Sequence, residues 1–257
     1  MPKVKVDDIQ IYYEVRGKGF PLVMIHGLAA NLDWWGNEPG LVEELSKRFM
    51  TVMFDNRGAG RTDVSDRRYT IRLFADDTAG LLDALGISKA HVLGLSMGGR
   101  IAQELALDYP QKVEKLVLCS TSCGGKESVP PSGEVMRMLM ADKNAAARAA
   151  VTEDFVKKNP AWVALGMQRT CKAPISDDAY RRQMNASRES ATYDRLSQIN
   201  APTLILAGRK DILMPPENAS ILARAIPNAK LVFLENSGHI LVEDMDEVVS
   251  SVIGFLG

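Results

Sequence analysis

Apolar and polar positions divide this chain into short strand-like runs separated by helical ones. Two opening segments, KVKVD and QIYYEVRG, alternate apolar and polar residues, the period of a half-buried strand. The later runs PLVMIHG, MTVMFD, HVLGL, VEKLVLCS, PTLILAG and KLVFLE are nearly continuous in apolar character. Such runs suit strands covered on both faces. Between them the spacing turns helical: an acidic helix near GLVEELSKRF, one from about Ile71 to Leu85, one beginning after Ser96, one after Pro216 and a last one from about Leu241. Strands alternating with helices imply crossover connections, so the expected fold is α/β with a doubly wound, mostly parallel sheet. From Ser122 to about Ile199 the rhythm stops. That stretch is rich in Ala, Arg and Met at helical spacing, is broken by Pro130, Pro131, Pro160 and Pro174, and contains no convincing apolar strand. The expected organisation is a core of residues 1–121 and 200–257 carrying a helical insertion over 122–199.

Composition narrows the function classes. Of 257 residues, 46% are hydrophobic and 25% charged, with a net charge of −1. Nucleic-acid binding needs a basic face, which this balance does not suggest. No apolar run reaches the ~20 residues that span a bilayer, and the N-terminal segment lacks the apolar core of a signal peptide. A cytoplasmic protein without membrane partner is expected. Cys119, Cys123 and Cys171 are too few and scattered for a disulfide framework, and no histidine lies near the first two to complete a metal site. There is no GxGxxG, P-loop lysine or metal-ligand cluster, so neither cofactor nor metal is expected. The expected partner is a small molecule; no oligomeric state follows from the sequence.

The chemistry concentrates in HVLGLSMGGRIAQEL, where Ser96 stands between Gly94 and Gly98 at the junction of a strand and a helix. G-x-S-x-G in that context is a nucleophile elbow. The turn is strained, its neighbours must be small, and it exposes the hydroxyl at the carboxyl edge of the sheet beside a helix N-terminus. A serine hydroxyl needs a base, most often histidine. There are three candidates. His91 lies at the start of the strand that leads to Ser96, at its far end. His26 ends PLVMIHG, in the loop flanking the nucleophile. His239, in ENSGHILVED, follows the last strand, which places it at the carboxyl edge and makes it the expected base. The acid should fall between serine and histidine in the chain. Asp211, just beyond PTLILAG in GRKDILMPP, fits; Glu127, deeper in the insertion, is the runner-up. Two backbone N–H groups should form an oxyanion hole: Met97, directly after the serine, and Leu28, after the strand ending at His26.

The set HGLAAN, FDNRGAGRTD, GLSMGG, GRKDILMPP and NSGHILVED, in this order and spread over nearly the whole chain, resembles the α/β-hydrolase family. Within it, the chain is most similar to small esterases and 3-oxoadipate enol-lactonase-like enzymes. The resemblance implies a Ser96–Asp211–His239 triad, Leu28 and Met97 as oxyanion donors, and the insertion as a small helical cap. Thr62 stands where serine is commoner. The same implied triad serves carboxylesterases, lactonases, C–C bond hydrolases and cofactor-free perhydrolases, and some members of the family are hormone receptors.

Trp34, Leu139 and Trp162 are the candidate pocket residues. The insertion also carries Met136, Met138, Met140, Met167, Met184, Phe155 and Leu165, an adaptable apolar set suited to roofing a neutral acyl group. Arg137, Arg148, Arg169, Arg181 and Arg182 keep an anionic substrate open. Of the pair Trp34 and Trp35, one is expected at the pocket and one in the core. Asp55 and Arg57 in FDNRG are expected to form a buried structural ion pair.

Overall fold

The computed structural model describes residues 2–37, 40–141, 145–162, 164–165 and 173–257. Met167, Arg169 and Cys171 lie outside the described residues, as do the side chains of Leu139 and Met140.

The strand-like runs become eight strands: β1 (Lys3–Val6), β2 (Ile9–Arg16), β3 (Phe20–Ile25), β4 (Phe49–Phe54), β5 (Ala90–Leu95), β6 (Val113–Cys119), β7 (Thr203–Gly208) and β8 (Lys230–Leu234). They form one sheet in the order β1-β2-β4-β3-β5-β6-β7-β8. The β1–β2 and β2–β4 pairings are antiparallel and the remaining five are parallel.

Nine described helices flank the sheet or lie in the insertion: α1 (Leu41–Ser46), α2 (Ile71–Ala84), α3 (Met97–Asp108), α4 (Gly133–Ala141), α5 (Ala145–Ala149), α6 (Glu153–Lys158), α7 (Asp177–Glu189), α8 (Glu217–Ala225) and α9 (Met245–Leu256). Strand β3 is apolar throughout because it feeds two cores. Val23 and Ile25 of β3 join one core with α2, α3 and α8. Leu22 and Met24, alternating with them, join the other with α1 and α9. The start of α2 is set by Thr70, whose Oγ1 accepts the N–H of Leu73 at 3.0 Å. The last helix begins later than the spacing suggests. Leu241 takes a left-handed φ of 60°, a 3-10 turn covers Val242–Asp244, and only then does α9 start. Between β6 and β7 the described residues contain helices and a single isolated bridge, Gly124 with Ala191.

The expected Asp55–Arg57 pair is corrected. The Arg57 guanidinium is fully buried and points to α2, where Nε and Nη2 meet the two carboxylate oxygens of Asp77 at 2.8 and 2.6 Å. Its Nη1 donates to Asp8 at 2.8 Å and to Ser65 at 2.6 Å. These acidic partners raise the Arg57 pKa despite the desolvation that opposes its charge. Asp55 instead accepts the backbone N–H groups of Leu32 (2.6 Å) and Arg61 (2.7 Å), pinning two loops at the sheet edge. Two positions apart in sequence, the side chains of Asp55 and Arg57 thus serve different partners. Thr62 is buried, its hydroxyl donating to Asp55 O (2.7 Å) and accepting from Tyr12 N (2.9 Å); a serine hydroxyl makes the same two bonds.

The strand order reverses between β3 and β5, and that switch point is where an open parallel sheet leaves a crevice at its carboxyl edge. Ile25, the last residue of β3, is in register with Gly94, the last but one of β5. The loops carrying Leu28 and Ser96 therefore leave the sheet side by side.

Candidate functional site

Ser96 occupies the turn between β5 and α3 with φ 57° and ψ −119°, a conformation that side-chain-bearing residues rarely adopt. The turn is held by Ser96 N donating to Cys119 O (2.9 Å) and by Thr121 Oγ1 donating to Ser96 O (2.7 Å). It closes only because its flanks lack side chains. A Cβ on Gly94 would lie 2.3 Å from Gly98 O, and one on Gly98 would lie 2.1 Å from Ile25 O. The Gly-x-Ser-x-Gly spacing is thus a requirement of close backbone approach between α3, β5 and β3.

Asp211 and His239 are joined. His239 Nδ1 and Asp211 Oδ2 are 2.7 Å apart, and the Asp211 side chain is 1% exposed. The other carboxylate oxygen accepts the N–H groups of Leu213 (2.9 Å) and Met214 (2.8 Å). With Nδ1 committed to the carboxylate, Nε2 is left as the acceptor of a proton. The two loops meet through backbone. Lys210 N donates to Ser237 O at 3.0 Å, and a Cβ on Gly208 would stand 2.3 Å from both Ser237 O and Gly238 O.

Two carboxylates that the sequence pattern does not single out fix the histidine loop. Asp244 accepts from Asn236 N (2.9 Å) and Ser237 Oγ (2.8 Å). Burial works to raise its pKa, but these hydrogen bonds outweigh it and hold the carboxyl below its ordinary range. Glu243 accepts from Gly238 N (3.3 Å) and, within the insertion, from Thr152 N (2.7 Å).

The other histidines have different settings. His26 is buried; its Nδ1 accepts Gly27 N at 2.7 Å and its ring lies 4.6 Å from that of Trp35. Burial, reinforced by nearby His239, pushes its pKa down to about 3. His91 packs between Phe20 and Phe49 at the opposite end of β5, in register with Leu22. Burial, with Lys115 adding and Glu114 opposing, pushes it down to about 4. The runner-up acid, Glu127, pairs with Lys126 at 3.7 Å rather than with His239.

Backbone donors converge on the same edge. Met97 opens α3, where the first N–H groups of a helix have no intrahelical acceptor. In the loop after β3, Gly27 N, Ala29 N and Ala30 N each donate to a protein acceptor; among the described residues no hydrogen bond takes Leu28 N–H.

Of the pocket candidates, Trp34 is half-buried, its ring 6.2 Å from that of His26, whereas Trp35 is buried in the core. Trp162 stands edge-on to Phe155 at 5.2 Å, both packed against the core that contains Ile240 and Leu241. Arg137, Arg148 and Arg181 are exposed, and Arg182 turns to Asp178 (2.6 Å) and Ser65 O (2.7 Å).

Residues 21–246 match a family model described as alpha/beta hydrolase fold. A poly(3-hydroxyalkanoate) depolymerase of Ectopseudomonas oleovorans is 31% identical over 97% of this chain and 89% of its own length. A provisionally named carbamate hydrolase, RutD, of Azorhizobium caulinodans is 27% identical over 100% of this chain and 98% of its own. Among solved structures, the enol-lactonase from Burkholderia xenovorans is similar with a TM-score of 0.86 and 27% identity, covering 99% of both chains.

Proposed function

This chain belongs to the α/β hydrolase family, and from that premise we propose that it is a serine hydrolase of carboxylic esters or lactones with small to medium, neutral acyl groups. In this reading His239 Nε2 takes the Ser96 proton as Oγ attacks the carbonyl. Met97 N–H and Leu28 N–H stabilise the oxyanion, and the leaving alcohol departs with the proton from His239. Water, deprotonated in turn by His239, then hydrolyses the acyl-enzyme and returns Ser96. Asp211 orients the imidazole and stabilises its cationic form. The observation that carries the proposal is the 2.7 Å contact between His239 Nδ1 and buried Asp211, on the same sheet edge as a serine in an elbow.

Among the described residues, the exposure of Arg137, Arg148 and Arg181 and the commitment of Arg182 to Asp178 and Ser65 support a neutral acyl group, with Trp34 and Trp162 as the described candidates for its wall. Similarity to an enol-lactonase, together with the resemblance of the sequence motifs to 3-oxoadipate enol-lactonase-like enzymes, favours a second reading, an anionic lactone. A panel of p-nitrophenyl esters of rising chain length, beside neutral and anionic lactones, separates them. The expected kcat/KM peaks at short chains; preference for the anionic lactone by more than ~100-fold overturns the neutral pocket. A serine-directed phosphonate should add once, on the peptide bearing Ser96, and Ser96→Ala should fold normally and lose on the order of 10³-fold or more in kcat. Labelling elsewhere refutes the mechanism.

A further inference from the structure

The loop after β3 is held from the insertion. Gln183, on α7, is completely buried, and its amide bridges two turns of the core. Oε1 accepts Ala29 N–H at 2.9 Å, and Nε2 donates to Arg57 O at 2.9 Å. Ala29 has φ 62°, the left-handed region that costs a side-chain-bearing residue free energy unless its surroundings enforce it. The residue before it is Leu28, whose N–H direction is set by the same turn.

Helix α7 is a firm base for such a strut. Its Ser176 cap accepts Ala179 N (3.2 Å). Arg182 donates to Ser65 O (2.7 Å), and near the far end Arg100 of α3 donates to Ser187 Oγ and Ser190 Oγ (3.3 and 3.2 Å). A second link runs from Asn31 Nδ2 to Ala173 O at 3.3 Å. The shape of the loop thus depends on a helix some 150 residues later in the chain, at the 154-residue separation of Ala29 and Gln183.

We infer that Gln183 is a positioning residue: by accepting Ala29 N–H it fixes the turn that aims Leu28 N–H at the oxyanion. This rests on the oxyanion role proposed above for Leu28. A donor misplaced by a fraction of an ångström is weakened chiefly in the transition state, where the charge on the carbonyl oxygen develops. Loss of the strut should therefore lower kcat and leave KM nearly unchanged.

The test compares Gln183→Met, which keeps side-chain length but cannot accept Ala29 N–H, with Gln183→Glu, which keeps an oxygen opposite Ala29 N–H and, as the neutral acid that complete burial favours, an O–H to donate to Arg57 O in place of Nε2. The expected result for Gln183→Met is a fall in kcat of roughly 10- to 100-fold, below the full loss of an oxyanion donor, with KM within about threefold. Affinity for a trifluoromethyl ketone, which captures serine as an oxyanionic hemiketal, should fall in parallel with kcat/KM. Gln183→Glu should retain kcat within about threefold of wild type even if its melting temperature drops. A folded Gln183→Met with near-wild-type kcat overturns the inference. So does a folded Gln183→Glu that loses tenfold or more, and if Gln183→Met does not fold, Gln183→Glu decides alone. Phosphonate labelling of Ser96 in the wild type separates the two levels. If Ser96 is labelled and these results fail, the strut is wrong; if Ser96 is not labelled, the serine mechanism itself is wrong.

Discussion

Acidification from pH 8 to pH 5 should narrow the stability gap between the wild type and His26→Asn by about 2 kcal/mol. His26 is buried against Trp35, and its pKa is pushed down to about 3, whereas an unfolded chain presents it near its ordinary 6.5. Above pH 6.5 both states are neutral there and the group has no effect. As pH falls, the unfolded chain takes up a proton that the native state refuses, so stability is lost progressively and levels off only below about pH 3. At pH 5 the difference is RT ln(1 + 10^1.5), about 2 kcal/mol. Asparagine does not titrate, and its Oδ1 can accept the Gly27 N–H now taken by Nδ1. The variant should be the weaker protein at pH 8, by about 1–3 kcal/mol for the lost ring contacts, and should lose less on acidification. His91 is present in both proteins and cancels. Urea unfolding of each at the two pH values gives the double difference directly. A gap that stays constant within about 0.5 kcal/mol would show that His26 is not held neutral by its surroundings.

Three further outcomes follow from contacts already described. Asp211→Asn retains an oxygen for Leu213 N and Met214 N but favours the wrong His239 tautomer; kcat should drop on the order of 10⁴-fold, and a loss under tenfold in steady-state ester hydrolysis contradicts the triad. Asp77→Ala strands the fully buried Arg57 guanidinium, with Asp8 and Ser65 as its remaining side-chain partners, and should cost about 3–5 kcal/mol by denaturant titration; less than 1 kcal/mol would mean that the guanidinium finds solvent. Gly98→Ala puts a methyl 2.1 Å from Ile25 O and should destabilise by about 3 kcal/mol as well as misplace Ser96, whereas a variant with unchanged melting temperature and activity argues against the close approach of α3 to β3.

What could be read from the sequence was whatever leaves a periodic or punctuated trace. The central strands were legible because both faces are buried, so Leu22 through Ile25 are all apolar. The elbow was legible because only glycine fits where backbones approach to contact distance. His239 emerged from a field of three histidines. The partner of Arg57 did leave a trace: Asp77 is a carboxylate on the buried side of α2, beside Phe74 and Thr78. Asp55, two positions away, was the more conspicuous choice, but alternate residues in a turn need not face one another. Gln183 left none. It sits in YRRQMNASRE, a polar stretch in which one buried amide looks like any solvated side chain. Glu243 and Asp244 look like an ordinary acidic helix start, and their hydrogen bonds to the histidine loop depend on a turn set by tertiary packing.

The bridge from Ala29 to Gln183 bears on how relatives of this chain can be recombined. The segment between β6 and β7 looks like an exchangeable module, since Ser96, Asp211 and His239 all lie outside it. Grafts would ordinarily be cut at those two strand ends and chosen for the substrate they admit. Here such a transplant also swaps the acceptor of Ala29 N–H, so a donor segment without a side-chain oxygen at the Gln183 position brings in a new specificity and a loosened loop together. Chimeras of this fold should be designed with the two positions treated as one hereditary unit, crossing over on the same side of both.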